Sequence, residues 1–141
     1  MLSLISVYDK TDIEKVAKKL NTIISTGGSS KYLRSHNIEV KEVSDFTGFP
    51  EILNGRVKTL HPLVFGSILQ PEYPPSLDSG DKGGPIHKKN DIEMCLNALV
   101  DLDVVVVNLY PFEKNNSIEN IDIGGVSLIR AAAKNHERVS V

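Results

Sequence analysis

The 141-residue sequence predicts an α/β fold with a mostly parallel central sheet. Three observations carry the prediction. Short apolar runs of strand character alternate with stretches of helical periodicity. The run Asp103-Val104-Val105-Val106-Val107 is apolar on both faces, which suits a strand in the middle of a parallel sheet covered by helices. Turns built from Gly, Ser and Thr follow the strand-like runs directly, as strand-to-helix connections do. There is no internal repeat and no interdomain linker, so residues 1–141 read as one domain, long enough to bury a core.

The elements follow in order. Leu2–Val7 is a short, mostly apolar strand. Thr11-Asp12-Ile13-Glu14 fits a capping box, and Ile13, Val16, Ala17 and Leu20 then recur at i, i+3, i+4 and i+7, predicting an amphipathic helix. Thr22-Ile23-Ile24 is a second strand, Ser25 to Ser29 a turn, Ser30 to His36 a short helix and Ile38 to Val43 a third strand. Residues 44–65 are irregular and polar, broken by Gly48, Pro50, Gly55 and Pro62, and Phe65 to Leu69 is a strand candidate. Residues 70–88 hold four of the seven prolines and predict a long loop, either a lid or a mobile segment. Asp91 to Leu99 is helical by pattern, with Ile92, Cys95, Leu96 and Leu99 on one face. The valine strand comes next. Gly124-Gly125 opens a last helix running to about Lys134, with Val126, Ile129 and Ala133 predicted inward, and Val139-Ser140-Val141 begins another strand.

Composition excludes several classes. Hydrophobic residues make up 40% and charged residues 24%, ordinary for a globular protein. A net charge of −2 excludes nucleic-acid binding by bulk charge, so any anion site is local. Cys95 is the sole cysteine, which excludes an intramolecular disulfide, and its apolar surroundings mark it as a core residue. No two histidines have metal-site spacing, so no metal is expected. No apolar run approaches a membrane span, and Met1 to Val7 lacks a basic n-region, so a cytoplasmic protein without a membrane partner is expected.

Open α/β sheets bind ligands outside the carboxyl ends of their strands. That rule gathers three groups on one edge: Tyr8-Asp9-Lys10, Ser25-Thr26-Gly27-Gly28 and Asn108 with Tyr110. The Ser-Thr-Gly-Gly turn suits a phosphate, because glycines admit the anion to the backbone and the helix start presents unpaired N–H groups. Its plain alternative is an ordinary strand-to-helix turn with a serine cap. It is not a Walker A loop. The heptad Arg56-Val57-Lys58-Thr59-Leu60-His61-Pro62 adds two cations. If extended, Arg56, Lys58 and Leu60 face one way and Val57, Thr59 and His61 the other. Asp122-Ile123-Gly124-Gly125 offers donors to an oxyanion and a carboxylate base, or simply a helix cap. Lys134 sits in a last helical turn, where the helix dipole alone favours a cation. An unbroken helix would separate Gly124 and Lys134 by roughly 15 Å. Next to Pro62, His61 reads as a loop-shaping residue. His136 is a weaker acid-base candidate, and His36 and His87 read as surface residues.

In this order, these motifs resemble the inosine monophosphate cyclohydrolase domain of bifunctional purine biosynthesis proteins. The resemblance rests on Ile5 to Thr11, Ser25 to Ser29, Val43 to Glu51, Gly55 to Pro62, Val104 to Phe112, Glu119 to Gly125 and Arg130 to His136. It covers most of the chain outside residues 70–100 and is specific because so many ordered motifs agree. It implies a methylglyoxal-synthase-like three-layer fold. The implied reaction closes the purine ring: the carboxamide nitrogen of a formylated aminoimidazole ribonucleotide attacks its formyl carbon, and water leaves. It implies a nucleotide site from Tyr8, Asp9, Lys10, Ser25, Thr26, Gly27 and Gly28 around the phosphate. Arg56, Val57, Lys58 and Thr59 would continue it, Val107 and Asn108 would contact the base, and Asp122 and Ile123 would lie at the reacting groups. Lys134 would donate or accept the proton, assisted by Lys58, Asp122 and Tyr110. A homodimer is implied as well.

Three departures qualify the likeness. The chain ends soon after Lys134, so a formyltransferase domain and folate-dependent activity are not expected, and a separate formyltransferase would supply the substrate. Residues 70–90 differ from the family's segment. Tyr8 stands where a small serine is common, and is expected to crowd the phosphate or offer only its backbone. Two other readings stay open on the same fold: a methylglyoxal synthase, which needs a carboxylate base at a triose-phosphate site, and a nucleotide-sensing regulatory module, which needs the phosphate cradle but not Lys134, Asp122 or Tyr110.

Overall fold

In the computed structural model, which describes residues 1–70 and 99–141, the apolar runs pair into one sheet. The strands are β1 (Leu2–Ser6), β2 (Thr22–Ser25), β3 (Lys41–Glu42) and β4 (Leu102–Val107). The helices are α1 (Ile13–Ala17), α2 (Gly27–Ser35), α3 (Val43–Thr47), α4 (Pro62–Leu69) and α5 (Gly124–Lys134), with a 3-10 turn at Ile118–Asn120. The sheet order is β3-β2-β1-β4 and every strand pair is parallel. Successive side chains of a strand point to opposite faces. Leu4 and Ile24 therefore enter one core, with Val64, Ile68, Val105 and Leu128, while Ile5 and Ile23 enter the other, with Ile13, Ala17 and Leu33. Helices α1 and α2 cover one face and α3, α4 and α5 the other, so the predicted three-layer α/β architecture is present.

Several local expectations are corrected. Phe65 to Leu69 is not a strand but the body of α4. Pro62 presets the first helical turn, and His61 caps it by accepting the Leu63 N–H at Nδ1 (3.1 Å). Val64, Ser67 and Ile68 are its buried residues, at helical spacing. An apolar run this continuous has no period to separate strand from helix. The third strand is shorter than predicted, because Val43 already starts α3, which ends at Gly48 with φ 69°. The capping box at α1 does not form. The Thr11 N–H and hydroxyl both donate to Asp9 Oδ1 (2.9 and 2.7 Å), an Asx turn that competes with the cap, and α1 runs only to Ala17. Helix α2 begins at Gly27 rather than Ser30.

Strand β4 pairs fully with β1 alone. On its other side lies a single parallel bridge from Val104 to Ser140, which is all of the predicted last strand that forms. Helix α5 buries Leu128, Ala131 and Ala132 rather than Val126, Ile129 and Ala133, since the two small alanines allow the closest approach to the sheet and α4. Its end is tied to α4. The Asn135 amide donates to Ile68 O (2.7 Å) and Gln70 O (2.9 Å), and Arg138 donates to the carbonyls of Ser67, Ile68, Gln70 and Leu102. Except for Gln70 and Leu99, the predicted loop over 70–88 and the helix over 91–99, with His87 and Cys95, lie outside the described residues. No helix among the described residues is long and apolar enough to cross a membrane.

Candidate functional site

The carboxyl ends of β1, β2 and β4 open onto one cleft of about 500 Å³, a volume that suits a small-molecule ligand. Its walls come from the β1–α1 connection, the start of α2, residues 54–60, Asn108 and Tyr110, and residues 118–125. The three groups gathered by the strand-end rule do meet there.

At the β1 end the backbone is already engaged. Asn108 Oδ1 accepts the N–H groups of Tyr8 (2.7 Å) and Asp9 (3.0 Å), and its Nδ2 donates to Asp9 O (2.8 Å). The Lys10 ammonium donates to Tyr8 O (3.0 Å). The expectation that Tyr8 offers its backbone to a phosphate is therefore corrected, since both of its backbone groups are taken. The exposed Tyr8 ring instead meets Tyr110 edge to face, 5.2 Å between centroids. The Asn108 amide serves as a clasp rather than a free reader of a base. Asp9 is held below its ordinary pKa, first by the Thr11 hydroxyl, then by the Thr11 N–H, with Lys114 and Lys10 adding attraction.

The start of α2 turns toward the cleft with fewer residues than expected. Its first intrahelical bond runs from the Ser30 N–H to Thr26 O (2.8 Å), so the preceding amides have no partner inside the helix. Gly28 and Ser29 line the cleft beside Lys10, and a Cβ on Gly28 would sit 3.9 Å from Lys10 Cε. Ser25 does not reach the cleft. It is fully buried and its hydroxyl donates to Ile5 O (2.9 Å), joining two strands. Ser29, noticed in sequence only as part of the turn, exchanges hydrogen bonds with Val7 N–H (3.1 Å) and Val7 O (2.9 Å), fixing α2 to β1. Gly27 faces a smaller neighbouring cleft of about 210 Å³ that shares Thr26 and Lys58 with the first.

The heptad is not extended, which corrects the predicted facing of its side chains. Ile52 and Val57 form an antiparallel bridge closed by three left-handed residues, Leu53, Asn54 and Gly55 (φ 54°, 54° and 81°). Its two cations then part. Arg56 is paired with Glu119 across the cleft mouth, and Lys58 Nζ lies 3.6 Å from Glu51. Val57 is spent on the bridge. Thr59 is buried against α5, where a Cβ on Gly124 would come within 3.2 Å of its hydroxyl oxygen. His61 shapes the loop, as the sequence suggested, by capping α4.

At the start of α5, Asp122 Oδ1 accepts the Gly125 N–H at 2.6 Å, and Asp122 lines the cleft. A Cβ on Gly125 would sit 2.9 Å from each Asp122 oxygen and 2.8 Å from Leu109, so this approach requires glycine. Ile123 and Tyr110 are exposed at the same rim. Lys134 is elsewhere. Helix α5 runs unbroken for 11 residues, which separates its ends by roughly 15 Å. Lys134 is exposed at the far end and does not line the cleft. Val107, the last residue of β4, does not line it either. Glu51 and Glu119, the partners of the two heptad cations, stand within motifs quoted for the resemblance, but the sequence assigned neither of them a role, because a motif does not say which charges meet. Among the described residues, no three His, Cys, Asp or Glu side chains cluster as metal ligands would.

With this geometry in place, comparison with known proteins is specific. The profile of the MGS-like domain matches residues 12–136. The bifunctional purine biosynthesis protein PurH of Aquifex aeolicus is 48% identical over 153 residues, covering 100% of this chain and 28% of that protein. The PurH of Rhodospirillum rubrum is 48% identical over 151 residues, covering 99% of this chain and 26% of that protein. The chain thus spans 26–28% of the length of these relatives. The crystal structure of ForH superimposes with a TM-score of 0.75 at 31% identity, covering 100% of this chain and 72% of that one.

Proposed function

This chain belongs to the MGS-like domain family, and from that premise we propose that it works in purine biosynthesis as an inosine monophosphate cyclohydrolase. One observation carries the reading: Lys58, Tyr110 and Asp122, from three separate segments, line the same cleft as the start of α2. The family and the names of the PurH relatives supply the context for it.

In the proposed reaction the substrate phosphate lies at the α2 start, against Gly28 and Ser29, with Lys10 adding charge. The ribose and imidazole then extend toward Lys58 and Asp122. The carboxamide nitrogen attacks the formyl carbon and gives up a proton to Asp122 Oδ2, the oxygen that does not accept from the Gly125 N–H. The oxyanion that develops on the formyl oxygen is met by the Lys58 ammonium, a full charge on the cleft wall. The oxyanion takes up a proton from solvent to give the tetrahedral carbinolamine. Its hydroxyl then leaves as water with a proton from the Tyr110 phenol, the former formamide N–H returns a proton to the Tyr110 oxygen as the ring C=N forms, and Asp122 gives its proton back to solvent. None of these steps asks for a redox cofactor, a metal or folate.

Lys134, which does not line the cleft of its own chain, enters this scheme as a residue supplied by a second copy. We therefore propose a homodimer in which α5 of one protomer brings Lys134 to its partner's cleft.

The test is to incubate the purified chain with 5-formamidoimidazole-4-carboxamide ribonucleotide, in chelator and without folate, and to follow inosine monophosphate by chromatography. Stoichiometric product at a rate proportional to protein is expected. Tight nucleotide binding without turnover would instead favour a sensing module, and methylglyoxal released from dihydroxyacetone phosphate would favour the synthase.

A further inference from the structure

We propose that Glu51 is a positioning residue for Lys58, holding its ammonium from behind so that it faces the reacting centre. The inference rests on the reading of Lys58 given above, and it extends that reading to a residue to which the sequence assigned no role.

The local geometry makes the pair a built feature. Ile52 and Val57 bridge in antiparallel fashion, so Glu51 and Lys58 are the next residues outward and sit directly opposite each other. Their separation across the turn is fixed by three successive left-handed residues, one of them Leu53, which strains such a backbone. The Lys58 stem passes over Gly55: a Cβ there would lie 2.5 Å from Lys58 Cε and 2.9 Å from Nζ. Only glycine leaves that path open. The turn and its glycine thus leave room for the lysine to run this way, and Glu51 Oε2 lies 3.6 Å from the Nζ at its end.

The two clefts give the pair a direction. Lys58 lines both, whereas Glu51 lines only the smaller one. The carboxylate therefore approaches from outside the main cleft, and the ammonium keeps donors free on the substrate side. Glu51 Oε2 also rests against the first turn of α2, 3.7 Å from where a Cβ on Gly27 would be, and the positive end of the helix dipole attracts a carboxylate there. Lys58 is 30% exposed and Glu51 56%. A pair this wet contributes little to folding, so its effect should appear in binding and catalysis rather than in stability.

Glu51→Gln tests this. Losing the counter-charge frees the ammonium for any anion in the cleft but leaves it unplaced. The dissociation constant for inosine monophosphate is expected to fall about 3-fold while kcat falls about 10-fold, opposite signs that a general structural defect does not produce. In a Lys58→Gln background the same substitution should change neither quantity, because the two residues act as one unit. The thermal midpoint should stay at the wild-type value. Equal losses in binding and kcat, no change in either, or effects that persist without Lys58 would each overturn the proposal. The binding cycle needs no turnover. If the wild-type chain fails to close the ring, the functional reading falls, and coupling of Glu51 to Lys58 in nucleotide binding still decides this proposal.

Discussion

Asn108 Oδ1 accepts the Tyr8 N–H at 2.7 Å, a bond that spans 100 residues of sequence and ties the carboxyl end of β4 to that of β1. With the bonds to Asp9, the Asn108 side chain closes the floor of the cleft. Asn108→Ala should release the Tyr8–Lys10 connection. Because these groups are exposed, water replaces the lost partners and the stability cost should be about 1 kcal/mol or less. Nucleotide affinity should fall roughly 10-fold through loss of preorganisation. Calorimetric titration with inosine monophosphate beside urea denaturation separates the two quantities.

Lys58→Ala and Lys134→Ala should each lower ring closure by about 100-fold or more, the scale of removing a charge or a proton carrier from a transition state. Since Lys58 lines the cleft and Lys134 does not, a dimer with shared sites has a distinctive signature. Mixing the two inactive variants under conditions of subunit exchange should restore about a quarter of wild-type activity, because half of the dimers are hybrids with one intact site of two. A mixture as inactive as its parts would confine Lys134 to an effect within its own chain.

Asp9 predicts a pH dependence with a definite sign. The Thr11 hydroxyl and N–H depress its pKa in the folded chain. A carboxylate with a depressed folded pKa contributes its stabilisation above the unfolded pKa and loses it as pH falls through the folded value. The turn after β1 should therefore keep its order from neutral pH down through the ordinary carboxylate range and loosen in stronger acid. Thr11→Val removes the hydroxyl bond and should move the Asp9 titration upward, read from its carboxyl carbon shift by NMR.

Arg138 should matter for stability and not for chemistry. It caps the end of α4 by donating to the carbonyls of Ser67 (2.7 Å) and Ile68 (2.9 Å), and also reaches Gln70 O (3.2 Å) and Leu102 O (3.3 Å). Arg138→Met leaves these acceptors without their charged donor and should cost about 2–4 kcal/mol in chemical denaturation. Arg138→Lys should recover little, since an ammonium cannot reproduce the planar fork.

Much of the fold was legible because its signals are local. The apolar runs at Leu2 and at Asp103 announced β1 and β4, and Gly124 announced α5 to within a residue. The strand-end rule then gathered Lys10, Gly28, Asn108 and Tyr110 at one edge without any coordinates. Even the separation of Lys134 from Gly124 followed from helix rise alone. What failed locally was a matter of competition: Asp9 took the Thr11 groups that a capping box needed, and a continuous apolar run concealed α4.

By itself, then, the sequence determined the layered α/β class, the edge on which the candidate site residues gather and the family resemblance, because periodicity and turn chemistry act over a few residues. Tertiary structure alone decided how each polar side chain is used. It buried Ser25 between strands, turned Asn108 into a clasp, set Arg56 against Glu119 across a sequence separation of 63 and placed Glu51 behind Lys58. A hydrogen bond or ion pair depends on where two groups meet in space, and no spacing in the chain encodes that meeting until the sheet and its helices have packed.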